Sequence, residues 1–193
     1  EIEEHESGIE ARMWISEERA EALGARRRAM AGPVGCGLCG IDSIDQAVRP
    51  VAPVPASGLR ITAAEINAAV EALRSAQVLH DLTRAVHAAG FWQGGRLAVV
   101  REDVGRHNAL DKLAGAIARA GLDGSRGAIV LTSRISLEMV QKTAAVGTPV
   151  LVAVSAPTAH AVRLADMSGL TLAANARGDG FDIFTHPSRV DPG

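Results

Sequence analysis

The chain contains no tyrosine, three phenylalanines and two tryptophans, so aromatics are 3% of its 193 residues. Surfaces that stack nucleobases draw on several aromatic faces, and this composition excludes that as the main function. Cysteine is equally scarce, with two in the whole chain. Two thiols close in sequence cannot staple a fold, so a secreted disulfide scaffold is excluded and a reducing compartment is expected. Neither sign of charge dominates: 20 Lys and Arg face 22 Asp and Glu, for a net charge of −2. That balance gives no electrostatic reason to expect nucleic acid or an acidic membrane as partner. No apolar run approaches the roughly 18 residues of a membrane span. The acidic, polar start shows no signal-peptide pattern, and a cytoplasmic protein is expected. The chain begins at Glu1 without Met and is read as a piece of a longer one.

What is present suits a globular domain. Apolar residues make up 47% and charged residues 22%, enough for a packed core. The length fits one sizeable domain, or one domain with a small appendage.

Both cysteines fall in Gly35-Cys36-Gly37-Leu38-Cys39-Gly40. Glycines on each side let the backbone take left-handed conformations and let a partner approach closely. Thiols in C-x-x-C have lowered pKa values, roughly 3.5–7.5 against about 8.5 for a free thiol. Three chemistries share this motif. A zinc half-site needs two further ligands, yet His5, His80, His87, His107, His160 and His186 are scattered. The H-x-E that precedes P-C-x-x-C in zinc deaminases is missing, so no metal site is expected. A thioredoxin-like pair follows a first strand, whereas these cysteines follow a helical pattern. A sulfur relay uses one thiolate to carry a sulfane sulfur and the other to assist. The bland alternative, two inert buried thiols, fits poorly between glycines.

Ser16 followed by Glu17 and Glu18 predicts a helix start, with the helix running to about Met30 and ending in Arg26, Arg27 and Arg28. Those arginines form either a solvated last turn or a basic rim beside the thiols. Ile9, Met13 and Ile15 suggest the end of a strand. Pro50, Pro53, Pro55 and Gly58 mark a connector, dividing an N-terminal segment, residues 1–55, from an α/β domain, residues 56–193. Thr62-Ala63-Ala64-Glu65 is a capping box that opens a helix to about Gln77. Strands are predicted at Ala85–Trp92, Arg96–Arg101, Ala128–Leu131, Val150–Val154, Leu170–Ala174 and Phe181–Thr185, and helices at Arg106–Ala120, Ser136–Val146 and Pro157–Met167. This alternation implies an α/β three-layer sandwich with a mixed sheet.

Three strand-to-helix junctions carry polar residues: Arg101 to Lys112, Thr132 to Glu138, and Ser155 to Thr158. In α/β sheets such junctions at the carboxyl ends of strands are where ligands bind. Together they suggest one nucleotide-sized anion site holding Arg106, His107, Lys112 and Arg134. Neither a Walker motif nor G-x-G-x-x-G occurs, so the site is not a common nucleotide fingerprint. Arg177 to Phe181 reads as a hairpin whose Arg and aromatic could hold a base. His107 is the better candidate for chemistry, and His87, on an alternating strand, reads more readily as a core histidine.

Taken together, Arg27-Arg28-Ala29 leading to the cysteines, His87-Ala88-Ala89, Arg101 to Lys112, Ser133 to Lys142, and Pro149 to Pro157 resemble the formate dehydrogenase accessory sulfurtransferase family (FdhD/NarQ). The string R-E-D-V-G-R-H-N-A-L-D-K is the most specific part. The resemblance implies a core similar to the cytidine deaminase fold without its zinc, joined to a small helical and loop segment carrying the C-x-x-C. It implies sulfur transfer, as a persulfide, from a cysteine desulfurase to the molybdenum bis-molybdopterin guanine dinucleotide cofactor that formate dehydrogenase needs. It further implies a cytoplasmic homodimer. By position, Cys36 corresponds to the persulfide carrier and Cys39 to its partner. The guanine-dinucleotide stretch falls on Asn175, Ala176, Arg177, Gly178, Asp179 and Gly180. Family members usually carry more chain before the first helix, and often an apolar or aromatic residue where Asn175 stands. Two other functions remain: a non-catalytic chaperone that binds the molybdenum cofactor, and a C-x-x-C dithiol redox protein.

Overall fold

The computed structural model describes residues 1–5, 8–24, 51–55, 58–178 and 180–192. The expected helix end at Arg26, Arg27 and Arg28, the thiols Cys36 and Cys39, and Asp179 lie outside the described residues. The chain divides into two compact units, Glu1–Arg49 and Pro50–Gly193.

The first unit opens with a hairpin of β1 (Ile2–His5) and β2 (Gly8–Ala11). The sequence pattern predicts one strand ending near Ile9, Met13 and Ile15. Met13 and Ile15 instead follow the hairpin and are exposed. The pairing is held by polar groups that hydrophobic periodicity does not register. Arg12 bonds Glu10 through Nε at 3.0 Å and pairs with Glu3 at 3.1 Å. Helix α1 (Glu17–Gly24) follows, with Glu17 and Glu18 in its first turn as expected.

The second unit begins its regular structure with β3 (Ile61–Thr62), which pairs in parallel with β10 (Val190–Asp191). Helix α2 (Ala63–Ser75) starts at the capping box: Thr62 Oγ1 accepts from the Glu65 N–H at 3.1 Å, and Glu65 accepts from the Thr62 N–H at 2.9 Å. A six-residue helix, α3 (Val78–Thr83), was not foreseen. Its Val78, Leu79 and Leu82 are exposed, so no amphipathic period announces it. It is anchored from outside, because the Glu102 carboxylate accepts the Leu79 and His80 N–H groups at 2.8 and 2.9 Å.

The main sheet holds β4 (His87–Gln93), β5 (Arg96–Asp103), β6 (Ala128–Leu131), β7 (Val150–Ala153), β8 (Thr171–Arg177) and β9 (Gly180–Thr185) in the order β5-β4-β6-β7-β8-β9. Strands β6, β7 and β8 are parallel, while β4 and β9 run against them and β5 runs against β4. The carboxyl ends of β5, β6, β7 and β8 therefore share one edge, where β4 and β9 begin. Helices α4 (Arg106–Arg119), α5 (Leu137–Ala145) and α6 (Ala159–Met167) fill the three crossovers.

Alternation along the strands builds two cores. Ala88, Trp92, Val130, Val152 and Ala173 face α2, meeting Ile66, Val70 and Leu73. The intervening Phe91, Ile129, Leu131, Leu151 and Leu172 are buried on the side of α4, α5 and α6. All four residues of β7 are buried, as expected for a parallel strand covered on both faces. The fold is thus a three-layer α/β arrangement around a mixed six-stranded sheet. Among the described residues, no helix is long and apolar enough to cross a membrane.

Candidate functional site

The carboxyl edge of the sheet gathers the polar junctions that the sequence marked. Arg106 and His107 open α4 directly beyond β5, Arg134 sits between β6 and α5, and Arg177 and Gly180 form the turn from β8 to β9. The loops after β6 and β7 are tied together: Ile135 N–H donates to Ala156 O at 3.2 Å, and Thr158 N–H to Ile135 O at 2.9 Å.

His107 Nε2 lies 3.1 Å from Glu138 Oε2 and 3.5 Å from Ser136 Oγ. Lys142 Nζ reaches Asp111 Oδ2 at 2.6 Å and the His107 carbonyl at 3.3 Å. Two i,i+4 pairs, His107 and Asp111 on α4, Glu138 and Lys142 on α5, thus meet across the helices as one imidazole–carboxylate contact and one ion pair. Burial pushes the His107 pKa down; Glu138 opposes this, while Arg106 and Lys142 add to it. A neutral ring donates its Nε2 proton to Glu138, which leaves Nδ1 as the lone-pair nitrogen. Ser136 holds the N-cap position, but its hydroxyl makes no capping bond and lies by the imidazole instead. The expected cap at Thr158 is present, with its side chain accepting from Ala161 N–H at 3.2 Å. Helix α6 starts at Ala159, so Pro157 precedes the cap instead of entering the helix.

Lys112 is drawn to a different place. Its Nζ lies 2.5 Å from Asp103 Oδ2 and 3.3 Å from the Glu102 carbonyl, along a groove beside β5 shared with Arg101, Glu102 and Arg119. Lys112 and the Gly105 N–H hold the Asp103 carboxyl below its usual range. The structure thus separates Lys112 from the His107–Glu138 pair.

The hairpin residues divide as well. Ala176 is 1% exposed and belongs to the core facing α2, so only its backbone is on offer at the edge. Arg177, Gly178 and Gly180 are exposed. Asn175 sits at a bulge in β8 with φ of 55°, its Nδ2 donating to Asp182 Oδ2 at 2.8 Å. Bulges of this kind re-aim side chains beside binding sites. Asn tolerates the left-handed conformation better than an apolar or aromatic residue would.

His87 is not a core histidine. It lies half-buried where β4 begins, on the same edge. Burial lowers its pKa first, followed by the charges of Arg106, His80 and Arg134. Sequence reading missed Glu138 and Lys142 as partners of the site. The shared i,i+4 spacing of opposite charges on consecutive helices was the available signal. Among the described residues, no group of three or more His, Cys, Asp and Glu could hold a metal ion.

Comparisons with known proteins converge. The model of the FdhD/NarQ family matches residues 1–191. A protein of Agrobacterium fabrum named sulfur carrier protein FdhD is 53% identical over 191 residues, covering 98% of this chain and 70% of the relative. A protein of the same name from Bordetella bronchiseptica is 48% identical over 191 residues, covering 98% of this chain and 69% of the relative. Among solved structures, a crystal structure described as a formate dehydrogenase accessory protein, from Desulfotalea psychrophila, superposes with a TM-score of 0.64 and 36% identity. That match covers 74% of this chain and 60% of the solved one.

Proposed function

This chain belongs to the FdhD/NarQ family, and from that membership we propose that it is a sulfur carrier in formate dehydrogenase maturation. Cys36 takes sulfur as a persulfide from a cysteine desulfurase and passes it to the molybdenum bis-molybdopterin guanine dinucleotide cofactor, which is the substrate of the transfer. In the loading step the Cys36 thiolate attacks the outer sulfur of the donor's persulfide. The donor S–S bond breaks, a new S–S bond forms on Cys36, and the donor thiolate leaves, so no external oxidant is needed. Cys39 assists as the neighbouring thiol. A homodimer in the cytoplasm is part of this reading.

The observation that carries it is the match of nearly the whole chain, over a span that contains the C-x-x-C segment, to proteins named sulfur carrier. The carboxyl edge supports it on chemical grounds. Arg106, Arg134 and Arg177 lie on three of the four turns of one edge, where a cofactor with phosphate groups finds cationic donors. His107, as a neutral ring held by Glu138, supplies a nitrogen that can accept a proton there.

The test is loading. The protein is incubated with a cysteine desulfurase and cysteine, and its intact mass is read without reductant. Gain of a sulfur atom, reversed by reductant and absent in Cys36→Ala, is the expected result. Full loading of Cys36→Ala overturns the assignment of the carrier thiol. No loading of a folded protein with free thiols overturns the relay in favour of a cofactor-binding chaperone.

A further inference from the structure

We propose that the outer edge of β5 is a docking site for an extended segment of another protein, one that alternates acidic and apolar side chains and adds to the sheet as a further strand. Strand β5 ends the sheet, with β4 on one side and, among the described residues, no strand on the other. A groove of about 910 Å³ runs beside it, from the end of α2 and α3 on one side to α4 on the other, with Val100, Arg101 and Glu102 of the strand itself in its lining.

The hydrogen bonds of β4 show which groups of β5 face outward. Both backbone groups of Ala88 are taken on the β6 side: its N–H donates to Thr132 Oγ1 at 2.9 Å, and its carbonyl accepts from the Thr132 N–H at 3.1 Å. Glu102, opposite Ala88, therefore makes no ladder bonds with it, and by antiparallel alternation neither does Val100, opposite Gly90. The N–H and carbonyl groups of Val100 and Glu102 point away from β4. Two cations cover the carbonyls. Arg101 Nη1 donates to Val100 O at 2.7 Å, and Lys112 Nζ to Glu102 O at 3.3 Å. Charge on an edge strand guards it against indiscriminate pairing. Here it also sets a condition, because an acidic side chain on the partner draws the cations off the carbonyls and a neutral strand does not.

The two walls of the groove differ in chemistry. Val100 packs toward α2, so alternation turns Arg101 to the side of α4. Lys112 and Arg119 of α4 line the same side, giving three cations. Asp103 balances Lys112 at 2.5 Å, which leaves Arg101 and Arg119 in surplus. The carboxylate of Glu102 is occupied by the Leu79 and His80 N–H groups. The opposite wall is apolar, with Ala76 and a Leu79 that is 47% exposed. Helix α4 also presents Gly115, where a Cβ would meet nothing within 4 Å, so a second backbone has room to approach. An added strand points successive side chains to opposite faces, which sets its acids against α4 and its apolar residues against α3. In strand addition the main-chain bonds give affinity and the alternating side chains give selectivity. The contact uses no thiol and goes beyond the sulfur relay.

The probe is a synthetic peptide of alternating Glu and Val, blocked at both ends and about as long as β5, titrated into the chain at low salt and followed by backbone NMR. Saturable binding is expected, with hydrogen exchange of the Val100 and Glu102 amides slowed about tenfold or more and that of Arg101, already paired with β4, unchanged. A Lys–Val peptide is not bound, and neither is a Glu–Pro peptide, which has the same charge but cannot pair as a strand. Arg101→Gln weakens binding about tenfold. Gly115→Leu, a change that favours helix but fills the groove, abolishes binding while the melting temperature holds or rises. Arg163→Gln, an exposed site on α6, leaves binding unchanged. Equal binding of the Lys–Val or Glu–Pro peptide overturns the proposal, as does binding without protection of Val100 and Glu102. No binding at millimolar peptide overturns it too, and leaves the cations as edge protection alone. Protection of those two amides that grows with protein concentration in the absence of peptide overturns it in favour of a second copy of this chain. Cys36→Ala binds the peptide unchanged, so failure here and failure of the sulfur relay are told apart.

Discussion

His107 Nε2 and Glu138 Oε2 lie 3.1 Å apart across the α4–α5 interface, and the Glu138 carboxylate raises the imidazole pKa against the burial that lowers it. Burial is the larger effect, so the ring titrates below the usual histidine range despite its carboxylate partner. Glu138→Gln removes the larger of the two carboxylate effects, from Glu138 and Asp111, that favour the protonated ring. The expected outcome is a further fall in the His107 pKa, read from the imidazole proton shifts across a pH titration by NMR. A rise, or no change, would show that Glu138 does not act on His107 in solution.

The same two causes predict how stability varies with pH. His87 and His107 both have lowered pKa values, with burial first in each. Between those values and about 6.5 the unfolded chain binds more protons than the folded one. Stability rises with pH wherever the unfolded state binds more protons. The contribution of the two neutral rings is therefore fully present above about pH 6.5 and is lost as pH falls toward the folded values. Thermal melts between about pH 8 and pH 5.5 should show this loss, and His87→Gln with His107→Gln should flatten it. Asp103, whose pKa is lowered, acts at more acidic pH and leaves this window untouched.

How much of this was legible in the sequence depends on which force sets each element. The strands β6 and β7 and the helices α4 and α5 were read within a few residues, because apolar periodicity and burial coincide there. The capping box of α2 was equally plain, since one Thr and one Glu at fixed spacing satisfy each other. Helix α3 was invisible, because Glu102, distant in sequence, supplies the partner for its first N–H groups. The shared edge of the three junctions was foreseen, but the parting of Lys112 from His107 was not. Asp103 decides that, through a carboxylate that only the folded β5–α4 turn brings to Lys112. His87 was misplaced for a related reason. Alternation tells which face a residue takes but not how close the strand end lies to solvent.

Two glycines outside the site should respond oppositely to alanine. A Cβ on Gly127 would lie 2.5 Å from the Trp92 carbonyl oxygen and 2.6 Å from Phe91 Cζ. Backbone cannot yield as a flexible side chain does, so Gly127→Ala is expected to destabilise by about 3 kcal/mol. Gly115 lies within α4, and a Cβ there meets nothing within 4 Å. Gly115→Ala is expected to stabilise by about 0.5–1 kcal/mol, because it restricts the unfolded chain and favours helix. Urea unfolding of both variants checks the pair, and equal signs would contradict the packing described for β4 and β6.

Asn175 connects backbone geometry with the site. Its φ of 55° is the bulge conformation that sets the last turn of β8, and its Nδ2 holds Asp182 at 2.8 Å. Asn175→Gly keeps the conformation but removes the amide, whereas Asn175→Ala removes the amide and strains the backbone. If the bulge only shapes the hairpin, glycine should be tolerated in both stability and the cofactor binding proposed above. If the amide itself fixes the turn through Asp182, both variants should weaken cofactor binding. Alanine alone should also lower the melting point, by a few degrees for a left-handed penalty of about 1 kcal/mol. We expect the second pattern, because Asp182 lies on β9 opposite Ala174, and the Asn175 amide ties the two strands just before Arg177 and Gly180 turn at the carboxyl edge.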